Sequence, residues 1–160
     1  MSVRIGFGVD FHQLVAGREL WIGGINIPHI KGSLGHSDGD VLLHAICDAM
    51  LGAACIGDIG VHFPNTSSEF KNIDSKILLK KSFDLISANG YRIVNIDSTL
   101  CLESPKIQFY VPQMQQIIAT VLSLNISDIS IKGTTTERMG FIGREEGLAA
   151  YASILLESVN

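Results

Sequence analysis

No stretch of about eighteen apolar residues occurs anywhere in the 160-residue chain, which excludes a conventional membrane-spanning helix. Positive charge is scarce too. Twelve Lys and Arg stand against sixteen Asp and Glu, a formal net charge of −4. No basic run stands out, so neither a nucleic-acid partner nor a membrane surface is expected. Cysteine is sparse and unpatterned. Cys47, Cys55 and Cys101 make no CxxC pair, no zinc-finger spacing and no even disulfide set. They read as small buried residues of a reducing compartment, and a cytoplasmic location is expected. The opening residues carry no signal-peptide pattern and are expected to start a strand. With no repeat, low-complexity tract or linker in view, one domain over 1–160 is expected. What abounds is apolar side chain: 46% hydrophobic residues and a mean hydropathy of +0.30. Without a membrane span to absorb it, that surplus points to a subunit interface and a homo-oligomer.

Chemistry-bearing residues gather in His36-Ser37-Asp38-Gly39-Asp40-Val41-Leu42-Leu43-His44-Ala45-Ile46-Cys47-Asp48. If Asp40 opens a helix, Asp40, His44 and Asp48 follow at i, i+4 and i+8 on one face. Val41, Leu42, Ala45, Ile46 and Ala49 form the stripe that packs. The expectation is an imidazole presented between two carboxylates. A second cluster lies near the start. Val3 to His12 alternates as a strand, with Asp10 and His12 projecting from one side and Phe11 from the other. Asp10, His12 and His44 make a three-ligand site with one tetrahedral position open, the pattern of catalytic rather than structural zinc. Manganese or iron would also suit these donors.

The rest of the chain reads as scaffold and loops. Leu20–Ile22 and Ile25–Pro28 flank Gly23-Gly24 as a hairpin. His29 to Gly35 reads as a loop. Gly57 to Ser68 is long enough to be a binding loop or a cover, with Asp58, Asn65, Thr66 and Ser67 offering contacts to sugar or phosphate oxygens. Asp74-Ser75 caps a helix that stops at Asn89-Gly90. Tyr91 to Leu102 is a strand, broken at Glu103-Ser104-Pro105-Lys106-Ile107, which presents Lys106 at a strand end. Val111-Pro112 starts a helix, and Ile126 to Lys132 is a strand. Thr134-Thr135-Thr136-Glu137 suits a phosphate with its counter-cation; it equally fits a helix capping box. Arg144, in a Gly-rich turn, suits a phosphate or an interface ion pair. Leu148 to Val159 is expected to be an apolar helix. The fold class expected is α+β: a two-layer domain with a mixed sheet and helices packed on one face.

Taken together these segments carry a resemblance. Gly8-Val9-Asp10-Phe11-His12, the 36–44 stretch, Gly57-Asp58-Ile59-Gly60 with Phe63-Pro64, Pro105-Lys106, and Thr134 to Glu137 followed by Gly140-Phe141-x-Gly143-Arg144 resemble the 2-C-methyl-D-erythritol 2,4-cyclodiphosphate synthases. The match runs in unbroken order over nearly the whole chain. The resemblance implies a homotrimer with active sites between adjacent subunits. The implied substrate is 4-diphosphocytidyl-2-C-methyl-D-erythritol 2-phosphate, whose own 2-phosphate attacks the β-phosphorus and expels CMP, on the non-mevalonate isoprenoid route. By position it implies zinc on Asp10, His12 and His44, and a second divalent ion, Mg2+ or Mn2+, on Glu137. His36 and Thr135 match the groups that steady the transition state. Substrate contacts are implied for Asp10, Phe11, His12, His36, Ser37, Asp58, Ile59, Gly60, Phe63, Pro64, Asn65, Thr66 and Ser67. They are implied also for Leu102, Glu103, Ser104, Pro105, Lys106, Ile107 and Gln108, which match the cytidine-holding segment, and for Thr134, Thr135, Thr136 and Glu137. Phe141 and Arg144 match residues near the trimer axis, where the family has an apolar cavity. Two departures stand out. Asn65 and Ser67 occupy positions where the family often has aspartate, and Gly133 stands where alanine is common.

The implied chemistry agrees with the composition. An intramolecular attack needs no protein nucleophile, only a bent substrate, and well-oriented intramolecular reactions reach effective molarities of about 10⁵–10⁸ M. The obstacle is one phosphate approaching another, which a local cation site inside an acidic protein addresses. Two rivals are distinguishable by their products. A zinc phosphohydrolase would release inorganic phosphate or open-chain products, and a trimeric binding protein would bind without turnover.

Overall fold

The computed structural model describes residues 2–159. A long first strand, β1 (Val3–Ala16), leads into the hairpin of β2 (Leu20–Ile22) and β3 (Ile25–Ile27), then strand β4 (Lys31–Leu34). Helix α1 (Val41–Ala53), the one-turn helix α2 (Ile59–His62) and helix α3 (Ser75–Ala88) follow. The second half runs β5 (Tyr91–Cys101), α4 (Val111–Leu122), β6 (Ile129–Thr134), the one-turn α5 (Gly140–Gly143) and β7 (Gly147–Ser158). Five strands form one mixed sheet in the order β4-β1-β7-β5-β6, antiparallel except for β5 with β6. Helix α1 lies on β1 and β7, and α3 and α4 continue that layer. The two-layer α+β architecture is therefore the one expected.

Two elements differ from the expectation. The segment expected as a helix at 148–159 is instead occupied by the central strand β7, Gly147–Ser158, paired with β1 on one side and β5 on the other. Leu148, Ala150, Ala152, Ile154 and Leu156 are buried beneath the helices, while Tyr151, Ser153 and Leu155 alternate on the other side, half-buried. A central strand is apolar on both faces, so its period of two is hidden. The segment 31–34, expected as loop, extends the sheet by pairing with Gln13 to Ala16.

Glycines in β1 set how close the layers lie. A Cβ on Gly6 would sit 1.9 Å from the Ala49 carbonyl oxygen, and one on Gly8 would sit 2.0 Å from that of Ala45. Both are impossible distances, so the α1 backbone rests directly on the strand. Nor is α1 amphipathic as expected. Leu43, Cys47, Met50 and Leu51 are buried along with the predicted stripe, because α3 covers the outer side. The helix start is locked by the fully buried Asp40, whose carboxylate accepts from the backbone N–H of Gly23 (2.9 Å), Gly24 (2.7 Å) and Leu43 (3.0 Å). One side chain thus caps α1 and satisfies the β2–β3 turn. Burial pushes its pKa up.

The face of the sheet away from the helices is uncovered in the single chain. Val3, Ile5, Phe7 and Phe11 are 53–78% exposed, all on one side of β1. Tyr151 adds to this patch, edge-on to Phe11 with ring centroids 6.2 Å apart.

Candidate functional site

Gly6, Gly8, Asp10 and His12 share the helix-facing side of β1, because side chains two apart point the same way. The glycines bring α1 down, and the first turn of α1 then delivers His44 to the Asp10–His12 pair. Asp10 Oδ2 lies 2.9 Å from His12 Nδ1 and 3.1 Å from His44 Nδ1. The candidate ligand atoms of the three residues fall within 4.8 Å of one another. Their side chains are 24%, 12% and 13% exposed, so the cluster is sheltered but reachable. Among the described residues this is the one group of three or more His, Cys, Asp or Glu close enough to share a metal ion.

The donors fit a cation. His12 Nδ1 is buried without a hydrogen-bond partner, since its approach to Asp10 is off the N–H axis. A buried ring nitrogen left unpaired beside a carboxylate is an atom that a cation could take up. Imidazole nitrogen and carboxylate oxygen with no fourth protein donor are the ligand set of an open site. Burial pushes the Asp10 carboxyl up, but the nearby His12 and His44 outweigh it and hold it at about 2. Burial pushes His44 down, and the Asp10 hydrogen bond and charge overcome this, leaving His44 raised.

A pH prediction follows for the metal-free protein. Because the folded pKa of Asp10 lies below its ordinary 3.8, its contribution is complete above that value and is lost as pH falls toward 2. Urea unfolding is expected to weaken by about 2 kcal/mol over that window through this group. Asp10→Asn should flatten that part of the profile; an unchanged acid limb would remove Asp10 from the pair.

The carboxylates expected on either side of His44 are elsewhere. Asp40 is turned back into its cap, and Asp48, with its pKa raised by burial, accepts from Ile59 N–H at 2.8 Å. The neighbours of His44 are Asp10, Ser37 and Ser75. Its Nε2 lies 3.1 Å from Ser37 Oγ and 2.9 Å from Ser75 Oγ. Ser75 was legible in the sequence only as helix-cap material. His36 sits one residue from Ser37. Its Nε2 is buried and unpaired, and its carbonyl accepts from Asn72 N–H at 2.8 Å. Asp58 caps α2 by accepting from Val61 N–H at 2.9 Å, and the Asp48 bond ties Ile59, next to Gly60, to α1. In the following loop Phe63 is turned into the core against Phe70, while Pro64, Asn65 and Thr66 are exposed. Ser67 Oγ accepts from Glu69 N–H at 3.3 Å. His62 makes only a local bond, to the Ile56 carbonyl at 2.8 Å.

A second group lies across the sheet. Leu102, Glu103, Pro105, Lys106, Ile107 and Gln108, with Thr134, Thr135 and Glu137, line a cavity of about 540 Å³. Ser104 lies in the same turn. The threonine turn is not a capping box. Glu137 and Arg138 adopt left-handed backbone (φ 52° and 65°), and Glu103 accepts from the N–H groups of Thr136 (2.9 Å) and Arg138 (3.2 Å). Those N–H groups pull the Glu103 pKa down. Thr135 Oγ1 lies 3.3 Å from Glu137 Oε1. Gly133 matters here, because a Cβ on it would meet Ile107 at 2.9 Å on the cavity wall. Phe141 sits beside Phe11 with centroids 6.2 Å apart, and Arg144 pairs with Glu146 at 2.9 Å.

One chain does not bring the two groups together. Asp10 pairs with Ala150, Ala150 with Leu100, and Leu100 with Gly133. Three inter-strand steps of about 4.8 Å separate the cation cluster from the start of the threonine turn by about 14 Å.

An acid–histidine cluster that could hold a cation and a separate threonine-lined cavity at the far edge of the same sheet mark this two-layer α+β domain as a candidate metal-binding protein with a second candidate ligand site. The chain belongs to the YgbB family, whose model matches residues 3–157. It is 61% identical over 157 residues to the 2-C-methyl-D-erythritol 2,4-cyclodiphosphate synthase of Bacteroides thetaiotaomicron, covering 98% of this chain and 99% of that one. It is 61% identical over 159 residues to the synthase of the same name from Bacteroides fragilis, covering 99% and 100%. Among solved structures it is similar to Plasmodium falciparum IspF in complex with CDP, with a TM-score of 0.88, 36% identity, and 99% and 98% of the two chains covered. The bifunctional IspDF of Campylobacter jejuni matches at TM-score 0.96 and 42% identity; the alignment covers 99% of this chain and 43% of that longer protein.

Proposed function

We propose that the protein is a 2-C-methyl-D-erythritol 2,4-cyclodiphosphate synthase, a phosphorus–oxygen lyase of isoprenoid-precursor biosynthesis acting in the cytoplasm. It converts 4-diphosphocytidyl-2-C-methyl-D-erythritol 2-phosphate to the 2,4-cyclodiphosphate and CMP. The observation that carries this reading is the convergence of Asp10, His12 and His44, in a chain 61% identical over nearly its full length to synthases of that name. The CDP-bound relative supports a cytidine nucleotide ligand.

Zinc held by Asp10, His12 and His44, with Mg2+ or Mn2+ at Glu137, would supply the positive charge that lets one phosphate approach another. The remaining work is positioning. The 102–108 wall holds the cytidine end, and Asp58 with the 63–67 loop holds the sugar phosphate. That loop also keeps water from the β-phosphorus. His36 and Thr135 offer donors to the charge that develops as the 2-phosphate attacks and the CMP oxygen leaves. The protein supplies no nucleophile, and no covalent intermediate forms. Asn65 and Ser67 leave that loop two carboxylates poorer than is common in the family, so it meets the sugar phosphate with neutral groups.

The active form is a homotrimer. Two observations support this: the divided site needs a neighbouring copy to complete it, and the exposed Val3, Ile5, Phe7 and Phe11 need a cover. Phe141 and Arg144 lie beside that apolar face, near the proposed axis.

Phosphorus NMR of the reaction mixture, with zinc and magnesium both supplied, tests the reading. CMP and a cyclic diphosphate in equal amounts are expected. Inorganic phosphate or open-chain products would make the protein a hydrolase, and binding without turnover would make it a binding protein. Glu137→Gln is expected to raise the magnesium concentration needed for half-maximal rate by about tenfold, the worth of one charge-assisted contact. An unchanged magnesium titration would remove Glu137 from that role.

A further inference from the structure

The first residue of α3 reaches back to the cluster instead of serving its own helix. Asp74 already caps α3, accepting from Lys76 N–H at 2.8 Å. Ser75 is fully buried, and its hydroxyl lies between Asp38 and His44. Asp38 takes Ser75 on both sides: Oδ2 accepts the Ser75 N–H at 2.8 Å, and Oδ1 accepts from the Ser75 hydroxyl.

That arrangement fixes the direction of every proton in the chain of contacts. A carboxylate only accepts, so the single hydroxyl hydrogen of Ser75 is committed to Asp38. Ser75 Oγ then has only electron pairs left for His44 Nε2, 2.9 Å away. Nε2 must carry the hydrogen. Ser37 Oγ, 3.1 Å from Nε2, itself accepts from Gly39 N–H and can share the same proton. With Nε2 committed as a donor, the ring nitrogen left for a cation is Nδ1, which in the metal-free chain donates to Asp10 at 3.1 Å and would give up that hydrogen when a cation takes its place. We infer that Ser75, oriented by Asp38, is a positioning residue that holds His44 in the Nε2–H tautomer and so aims Nδ1 at the cation. The inference rests on the cation-site reading above.

Backbone bonds beside these contacts fasten a loop to the site. Asp38 N–H donates to the Ile73 carbonyl at 3.2 Å, and Asn72 N–H to that of His36 at 2.8 Å. The end of the 63–73 segment is therefore stitched to the stretch carrying His36 and Ser37. A serine needed only for helix entry would bond neither Asp38 nor His44 through its hydroxyl.

The test is run on the full-length protein, ring-labelled with nitrogen-15 at histidine. Long-range proton–nitrogen spectra of the zinc-loaded protein are expected to show His44 with a protected Nε2–H and zinc on Nδ1. Zinc on Nε2 would overturn the inference without any variant. Ser75→Ala is expected to lose 10–100-fold in zinc affinity, measured by competition with a chromogenic chelator, and to change the cobalt(II) absorption spectrum. Ser75→Thr, which keeps the hydroxyl, is expected to recover most of both. Ser75→Ala with affinity within twofold of the parent and an unaltered cobalt spectrum would overturn the proposal. A parent protein that takes up no stoichiometric zinc would instead sink the cation-site reading beneath it.

Discussion

His44→Ala is expected to strip the protein of stoichiometric zinc and to lower turnover by about three orders of magnitude or more, while the folded oligomer persists. The size of the loss follows from what remains. Asp10 and His12 sit two residues apart on one strand, and no other His, Cys, Asp or Glu among the described residues is close enough to replace the missing nitrogen. Polarisation by a bound cation is worth several kcal/mol in a transition state, and each 1.36 kcal/mol is about tenfold in rate. Persistence of the fold follows from where the helix gets its stability. The α1 core residues Val41, Leu42, Ala45, Ile46, Ala49 and Met50 are untouched, and Asp40 still caps the first turn. The imidazole sits at the edge of that core rather than within it. Metal analysis and CMP release on the same preparation check the result. A variant that keeps both its metal and its rate would take His44 out of the site altogether.

The pieces of this cluster are legible in the sequence, for a simple reason. Strand and helix periodicities decide which side chains share a face. Asp10 and His12, two apart in an alternating segment, had to project together. What periodicity does not convey is where a polar side chain turns once it meets the backbone of another element. Asp40 lies one turn before His44 and was expected beside it. Three backbone N–H groups from the β2–β3 turn and the helix start draw it away. A buried N–H without a partner costs about 1–3 kcal/mol, so three of them outcompete a place beside an imidazole. Ser75 is not legible as a partner of His44 for the converse reason. Its sequence context is that of a helix cap, and only the tertiary approach of α3 to the 36–38 stretch gives its hydroxyl a second use. The strand at 147–158 reads as a helix in sequence because alanine and leucine occupy both of its faces. Neither period dominates such a run, and its burial between β1 and β5 decides the matter.

The largest expected stability effect falls on a residue with no side chain. Gly8→Ala is expected to destabilise the protein by about 3 kcal/mol or more, lowering its thermal midpoint by about 10 °C. The added methyl would lie 2.0 Å from the Ala45 carbonyl oxygen and 2.7 Å from the Ala49 nitrogen. Both are backbone atoms inside a helix, so no side-chain rotation relieves the clash; strand and helix must separate. Ala45 follows His44, and Gly8 precedes Asp10 by two residues. The separation therefore opens the distance between Nδ1 of His44 and the Asp10 carboxylate as well, and zinc affinity should fall together with stability. Gly52→Ala separates this from any general effect of removing a glycine. Gly52 lies within the same helix with nothing inside 4 Å of its added Cβ, so helix propensity predicts a gain of up to about 1 kcal/mol there. Thermal unfolding and zinc titration of the two variants decide the point. If Gly8→Ala melts within about 2 °C of the parent and keeps its zinc, less than the ~1 kcal/mol that such a shift represents, then the close seating of α1 on β1 is not what holds the cluster together.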